Sequence, residues 1–157
     1  MKFLFLSVFV LVLCSPLSAR AADSTAAVHT AAFDPKADAA HDIDLAVKEA
    51  GATGRKILLD VGGNWCKWCK MLDAFFETNH DLSTLLHSKY VVVKVNFSKD
   101  NENKSVLGRY PKAAGYPHFF VLNADGSLLH SQNTGELEKG QGYDPEKMKA
   151  FLTRWAK

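Results

Sequence analysis

Cysteine is scarce in this chain: three among 157 residues, too few for a small scaffold held together by disulfides. No apolar run reaches the length that spans a bilayer, about 20 residues. Net charge is nearly absent, with 19 basic residues against 17 acidic ones. Without a strong basic excess, nucleic acid and anionic membranes are poor partners. The six histidines are scattered and form no close pair, so no ready-made zinc motif is present. Internal repeats and low-complexity tracts are missing too. Apolar residues are plentiful, at 47%, enough for one domain with its own core.

The N-terminus differs from the rest. Lys2 supplies one positive charge, Phe3 to Leu13 is apolar except for Ser7, and Pro16 breaks the run. Ala19-Arg20-Ala21 then sets small residues at the two positions a signal peptidase reads. Residues 1–21 are therefore expected to be a cleavable signal peptide. Leu13 is too large for the position before a lipidated cysteine, which argues against an anchor at Cys14. Cleavage removes Lys2, Arg20 and Cys14, so 17 basic residues face 17 acidic ones. The expectation is a periplasmic or secreted protein with no stable membrane insertion, in a compartment where disulfides persist. Both remaining cysteines, Cys66 and Cys69, lie in a single Cys-x-x-Cys.

Residues 22–40 are rich in Ala, Asp and Thr without a clear period. They read as a lead-in, with Phe33 the side chain placed to pack on the domain. Ile43, Ala46, Val47 and Ala50 share one helical face, which predicts a helix over 41–50 ended by Gly51 to Gly54. Lys56 to Val61 reads as a short strand buried on both faces. Leu72, Phe75 and Phe76 continue a helix from Cys69 to Asn79, and Leu82, Leu85 and Leu86 mark another turn or two. Tyr90 to Phe97 is the most β-prone run; 98–104 reads as a loop and 105–110 as a short helix. His118 to Leu122 and Ser127 to Ser131 are strands joined by the turn Asn123-Ala124-Asp125-Gly126. Thr134 to Tyr143, with three glycines, reads as a loop. Asp144 caps a last helix that has Pro145 at its first position and Met148, Phe151, Leu152 and Trp155 on its buried face. This order predicts an α/β domain over 41–157, a central mixed sheet with helices on both faces.

Three chemistries compete for the Cys-x-x-Cys. A structural zinc site needs four ligands, and two are missing here. A copper- or zinc-binding, metallochaperone-like module that adds His118 to Cys66 and Cys69 stays as the alternative. A purely structural disulfide would close a loop too short to remove much chain entropy. A redox dithiol has a positive mechanism. Cys66 lies between a buried strand and a helix start, where free N–H groups and the helix dipole stabilise a thiolate. Cys69 follows by one turn, so one sulfur attacks and the other resolves.

The segment "ILLDVGGNWCKWCK" resembles the active-site segment of the thioredoxin family, where a strand bearing a buried Asp leads to Trp-Cys-x-x-Cys-Lys. "GYPHFFVLNADG" resembles the family's cis-proline loop and the hairpin after it. The match runs in order over about residues 41 to 155. With the signal peptide, it is nearest to exported thioredoxin-like proteins. The resemblance implies the thioredoxin fold and a thiol–disulfide oxidoreductase, with reductase or isomerase favoured over oxidase. It implies Cys66 as nucleophile, Cys69 as resolving thiol and Asp60 as the buried acid that relays a proton to and from Cys69. Lys94 falls at the family's lysine near that acid; as one residue of an alternating strand it reads equally well as solvent-facing. Pro117 falls at the cis-proline, leaving the Tyr116 backbone beside the sulfurs to pair with a substrate strand.

Trp65 and Trp68 read as an apolar platform around Cys66, and Lys67 as a charge that favours its thiolate. His118 reads as a packed strand residue before a ligand. No prosthetic cofactor is implied, because the dithiol cycles by exchange. The implied partners are thiols and disulfides of other exported proteins and a redox partner that recycles the pair. The sequence departs from the commoner family pattern at three places: Lys67-Trp68 between the cysteines, Gly62 where many members carry an aromatic, and His118 after the proline.

Overall fold

The computed structural model describes residues 32–157. The expected signal peptide and most of the lead-in, residues 1–31, lie outside them. The elements run α1 (Ala39–Thr53), β1 (Lys56–Gly62), α2 (Lys67–Thr78), α3 (His80–Lys89), β2 (Tyr90–Asn96) and α4 (Lys104–Leu107). Then come β3 (His118–Leu122), β4 (Leu128–Asn133), β5 (Glu138–Lys139), β6 (Gly142–Tyr143) and α5 (Pro145–Trp155).

Four strands form one sheet in the order β2-β1-β3-β4. β1 pairs parallel with β2 and antiparallel with β3, and β3 pairs antiparallel with β4. The sheet is therefore mixed, as the order of elements predicts. Strand alternation sends side chains to two separate cores. Ile57, Leu59 and Val61 of β1 join Val91, Val93 and Val95 of β2 under Ile43, Ala46 and Ala50 of α1. Leu58 of β1 faces the other way, with Phe119 and Val121, toward Leu72 of α2, Leu86 of α3 and Met148 and Leu152 of α5. Fully burying one such Leu, Ile or Phe contributes about 2 kcal/mol. Every residue of β1 after Lys56 is buried, which fits a central strand covered on both faces.

Two local expectations are corrected. Gly51 does not end α1: the helix runs on to Thr53 and stops at Gly54, whose φ of 72° is a left-handed conformation that glycine enters at little cost. The helix also starts earlier than its apolar face marks, because the Asp38 carboxylate accepts from the backbone N–H groups of Ala40 and His41. Residues 134–143 are not a plain loop. A 3-10 turn over Thr134–Leu137 leads into the paired strands β5 and β6. The glycines there mark a tight hairpin, with Gly140 at φ 64°. Asp144 caps α5 as expected, accepting from the N–H groups of Glu146 and Lys147.

Candidate active site

Cys66 and Cys69 sit where β1 hands over to α2. Cys66 is the N-cap of α2 in extended backbone, and its sulfur accepts from the Cys69 backbone N–H at 3.1 Å. The two sulfurs are joined in a disulfide, with Cα atoms 5.2 Å apart. Cys69, within the helix, is more deeply buried than Cys66, at 1% exposed against 4%. The same N–H that reaches the Cys66 sulfur would stabilise its thiolate once the bond is reduced.

Space at this junction is made by glycine. A Cβ at Gly62 would lie 2.5 Å from the Cys69 sulfur and 3.0 Å from the Phe33 ring. A Cβ at Gly63 would lie 2.8 Å from the Phe97 carbonyl. Gly62 lets the strand end pass against the Cys69 sulfur, and Gly63 leaves room for the Trp65 indole to reach the Phe97 carbonyl.

Asp60 precedes Gly62 by two residues and so points to the same side of the sheet. It is 5% exposed, and its Oδ1 has no hydrogen-bond partner in the protein. Burial pushes its carboxyl up to about 7; Lys94 opposes this and Asp73 adds to it. Lys94 is the register partner of Asp60 on β2. Its ammonium lies 4.0 Å from Asp60 Oδ2, pairs closely with Asp73 and stands 4.6 Å from the centre of the Phe33 ring. It is not a solvent-facing lysine, because its side chain is only 11% exposed. A cleft of about 300 Å³ between α2, α3 and β2 is bordered by Asp60, Asp73, Glu77, Ser83, His87 and Lys94.

An aromatic wall flanks the sulfurs. Trp65 is 59% exposed, donates from its indole N–H to the Phe97 carbonyl at 2.7 Å, and meets Tyr116 edge-on. Tyr116 stacks on Phe97 at 4.6 Å. Tyr116-Pro117 is a cis peptide, and the Pro117 carbonyl accepts from the buried Thr134 hydroxyl. Trp68 is half-buried, packs at the edge of the cysteine pair and meets Tyr143 edge-on, so Trp65 is the more open of the two. Lys67, the first residue of α2, is exposed.

Asp73 and Phe33 complete the site and were not in the expected set. Asp73 lies four residues after Cys69, on the same helical face, which is the signal that finds it. His118 is 3% exposed, donates or accepts through Nε2 with Ser131 at 2.8 Å, and packs on Phe120. Burial first, then His130, lowers its pKa from the ordinary value. Among the described residues, no group of three or more His, Cys, Asp or Glu side chains is placed to hold a metal ion. The structure therefore does not bring Cys66, Cys69 and His118 together as a ligand set.

Residues 38–124, from the start of α1 through the turn after β3, match the family described as thioredoxin-like. The chain belongs to the thioredoxin-like family. A protein of Pseudomonas sp. (strain JR1 / K1) named thiol:disulfide interchange protein DsbD is 34% identical over 110 residues, 68% of this chain. A protein of the same name from Pseudomonas fluorescens is 30% identical over 117 residues. The matched part is 17% and 18% of these relatives' lengths, so the chain spans less than a fifth of either. Among solved structures, a disulphide isomerase from Xylella fastidiosa superposes with a TM-score of 0.69 at 24% identity, over 80% of this chain and 96% of that one. The oxidised C-terminal domain of Neisseria meningitidis DsbD gives 0.55 at 18% identity, over 74% of this chain and 96% of that one. These likenesses fix the thioredoxin fold of the domain.

Proposed function

We propose that this protein is an exported thiol–disulfide oxidoreductase whose Cys66–Cys69 pair exchanges electrons with cysteines of other exported proteins. The observation that carries this is the placement of the pair: Cys66 caps α2 beside the exposed Trp65 ring, and Cys69 is bonded to it from the buried side. The names of the DsbD relatives and of the Xylella isomerase support the same chemistry.

In the reducing direction the Cys66 thiolate attacks one sulfur of a substrate disulfide. A mixed disulfide forms, and the other substrate sulfur leaves as a thiolate and takes a proton from water. Cys69 then gives its proton, through water, to the Asp60 carboxylate and attacks the Cys66 sulfur. The mixed disulfide breaks, the second substrate thiolate leaves, and the Cys66–Cys69 disulfide remains. Two electrons have passed from protein to substrate. A carboxyl that titrates near 7 both accepts and returns that proton at neutral pH. Lys94 tunes it, Trp65 and Tyr116 receive the substrate, and Lys67 adds a screened positive charge at the entrance. The Tyr116 backbone before Pro117 pairs with an extended substrate segment. No prosthetic group takes part; a redox partner resets the pair. Reductase or isomerase action is favoured over oxidation by the resemblance, and export by residues 1–21, for which an N-terminus at Ala22 in the exported fraction is the check.

The test is a trap. Cys69→Ser removes the resolving thiol, so substrates should accumulate as mixed disulfides on Cys66, visible on non-reducing gels and released by dithiothreitol. The double variant Cys66→Ser, Cys69→Ser should hold none. A single variant that traps nothing rejects the proposal.

A further inference from the structure

We propose that Phe33 is a positioning residue of this redox site: its ring fills the space over Gly62, shields the Cys69 sulfur and holds the Lys94 ammonium on its π face. The proposal rests on the oxidoreductase function above and adds to it a residue from outside the sheet and its helices.

Phe33 stands in the irregular segment before α1, yet it is only 2% exposed. It joins neither of the two main cores. The buried cluster to which it belongs contains Phe33, Cys66 and Cys69 and no other buried residue, with Trp68 and Tyr116 at its edge. The ring lies against the end of β1 at Gly62 and packs with the two cysteines, outside both main cores. Its backbone is tied to the site as well. The Asn64 amide, two residues before Cys66, donates to the Phe33 carbonyl at 2.8 Å. The Asn101 amide donates to the Pro35 carbonyl at 3.0 Å. Both anchors come from loops flanking the site, so the segment is held across it like a strap.

The ring acts on the proton relay in two ways. It keeps water from the layer shared by Cys69 and Asp60, where desolvation is the main force on the Asp60 carboxyl. It also offers Lys94 a third neighbour besides Asp60 and Asp73, which holds the ammonium at the edge of ion-pair range from Asp60. Removing the ring admits water and frees Lys94 to close on Asp60. Both changes favour the charged carboxylate. Asp60 is otherwise faced by Asp73 and Glu77 of α2, His87 of α3 and Tyr143 of β6, none of which the substitution alters.

The test compares the unsubstituted protein with Phe33→Ala and Phe33→Leu. Two quantities are read: the carbon-13 NMR titration midpoint of the Asp60 carboxyl in the oxidised protein, and the iodoacetamide labelling rate of Cys69 in the reduced protein. In Phe33→Ala the midpoint should fall by about one unit and Cys69 labelling should rise about tenfold. Phe33→Leu keeps apolar cover and loses the aromatic face, so labelling should stay near the unsubstituted rate while the midpoint still falls in part. A merely structural ring would lower the melting temperature and leave the midpoint in place. An unchanged midpoint in folded Phe33→Ala, or in Phe33→Leu if the alanine variant does not fold, overturns the proposal. Insulin reduction by the unsubstituted protein separates the two ideas: an inactive protein whose Asp60 midpoint still shifts would refute the oxidoreductase function and keep the role of the ring.

Discussion

Lys94 is register partner to Asp60 across β1 and β2, and its ammonium stops 4.0 Å from the Asp60 carboxylate while pairing closely with Asp73. The buried acid thus has a counter-charge that is shared. Sharing leaves desolvation as the larger force, and the carboxyl rises to about 7.

Removing that counter-charge should push the carboxyl higher. Lys94→Met keeps the apolar stem and deletes the ammonium. The Asp60 midpoint is expected to rise by about one unit or more, and Lys94→Arg to keep it near the original value. Carbon-13 NMR titration of the carboxyl reads both. A lower midpoint in Lys94→Met would show that Lys94 does not act on Asp60 by charge.

Asp60 should also write itself into stability. Its folded pKa, about 7, lies above the ordinary 3.8. Between those values the folded state binds the extra proton, so this contribution is fully present below about pH 4 and is lost as pH rises through about 7. The loss is on the order of several kcal/mol. Asp60→Asn removes the titration. Its melting temperature relative to the unsubstituted protein should therefore climb between pH 5 and pH 8. A difference that stays flat over that range would mean the acid is not held neutral by burial.

Gly62 should tolerate no side chain. A Cβ there meets the Cys69 sulfur at 2.5 Å and the Phe33 ring at 3.0 Å, both buried. Gly62→Ala is expected to cost about 1–3 kcal/mol by overpacking. Gly51 is the control: it lies inside α1 with no atom within 4 Å of its missing Cβ. Gly51→Ala should stabilise by about 0.5–1 kcal/mol. Denaturant unfolding of both variants decides the pair.

These residues also show what the sequence makes legible. Helical periodicity locates α2 and α5 closely, because each buries one apolar face against the sheet, and β1 is legible as a short apolar run buried on both faces. The cysteine pair and Asp60 are legible from a motif that joins a buried strand to a helix start. The ends of α1 are not, because its limits are set by the Asp38 cap and the left-handed Gly54, while Gly51 looks like a stop and is not one. Asp73 is hidden among surface acids until the helix phase from Cys69 is applied. Phe33 is visible as an aromatic in a polar segment, but its contact with the sulfurs depends on Gly62, some thirty residues away. Trp68 shares its flanking position with Trp65 in sequence, and only the fold turns it toward Tyr143.

The central claim is that Cys66 and Cys69 are a working redox pair. Dithiothreitol-driven reduction of insulin, followed by turbidity, tests it most directly. The protein should accelerate precipitation in proportion to its concentration, and Cys66→Ser should fall to the rate of dithiothreitol alone. Equal rates for the two proteins would contradict the account.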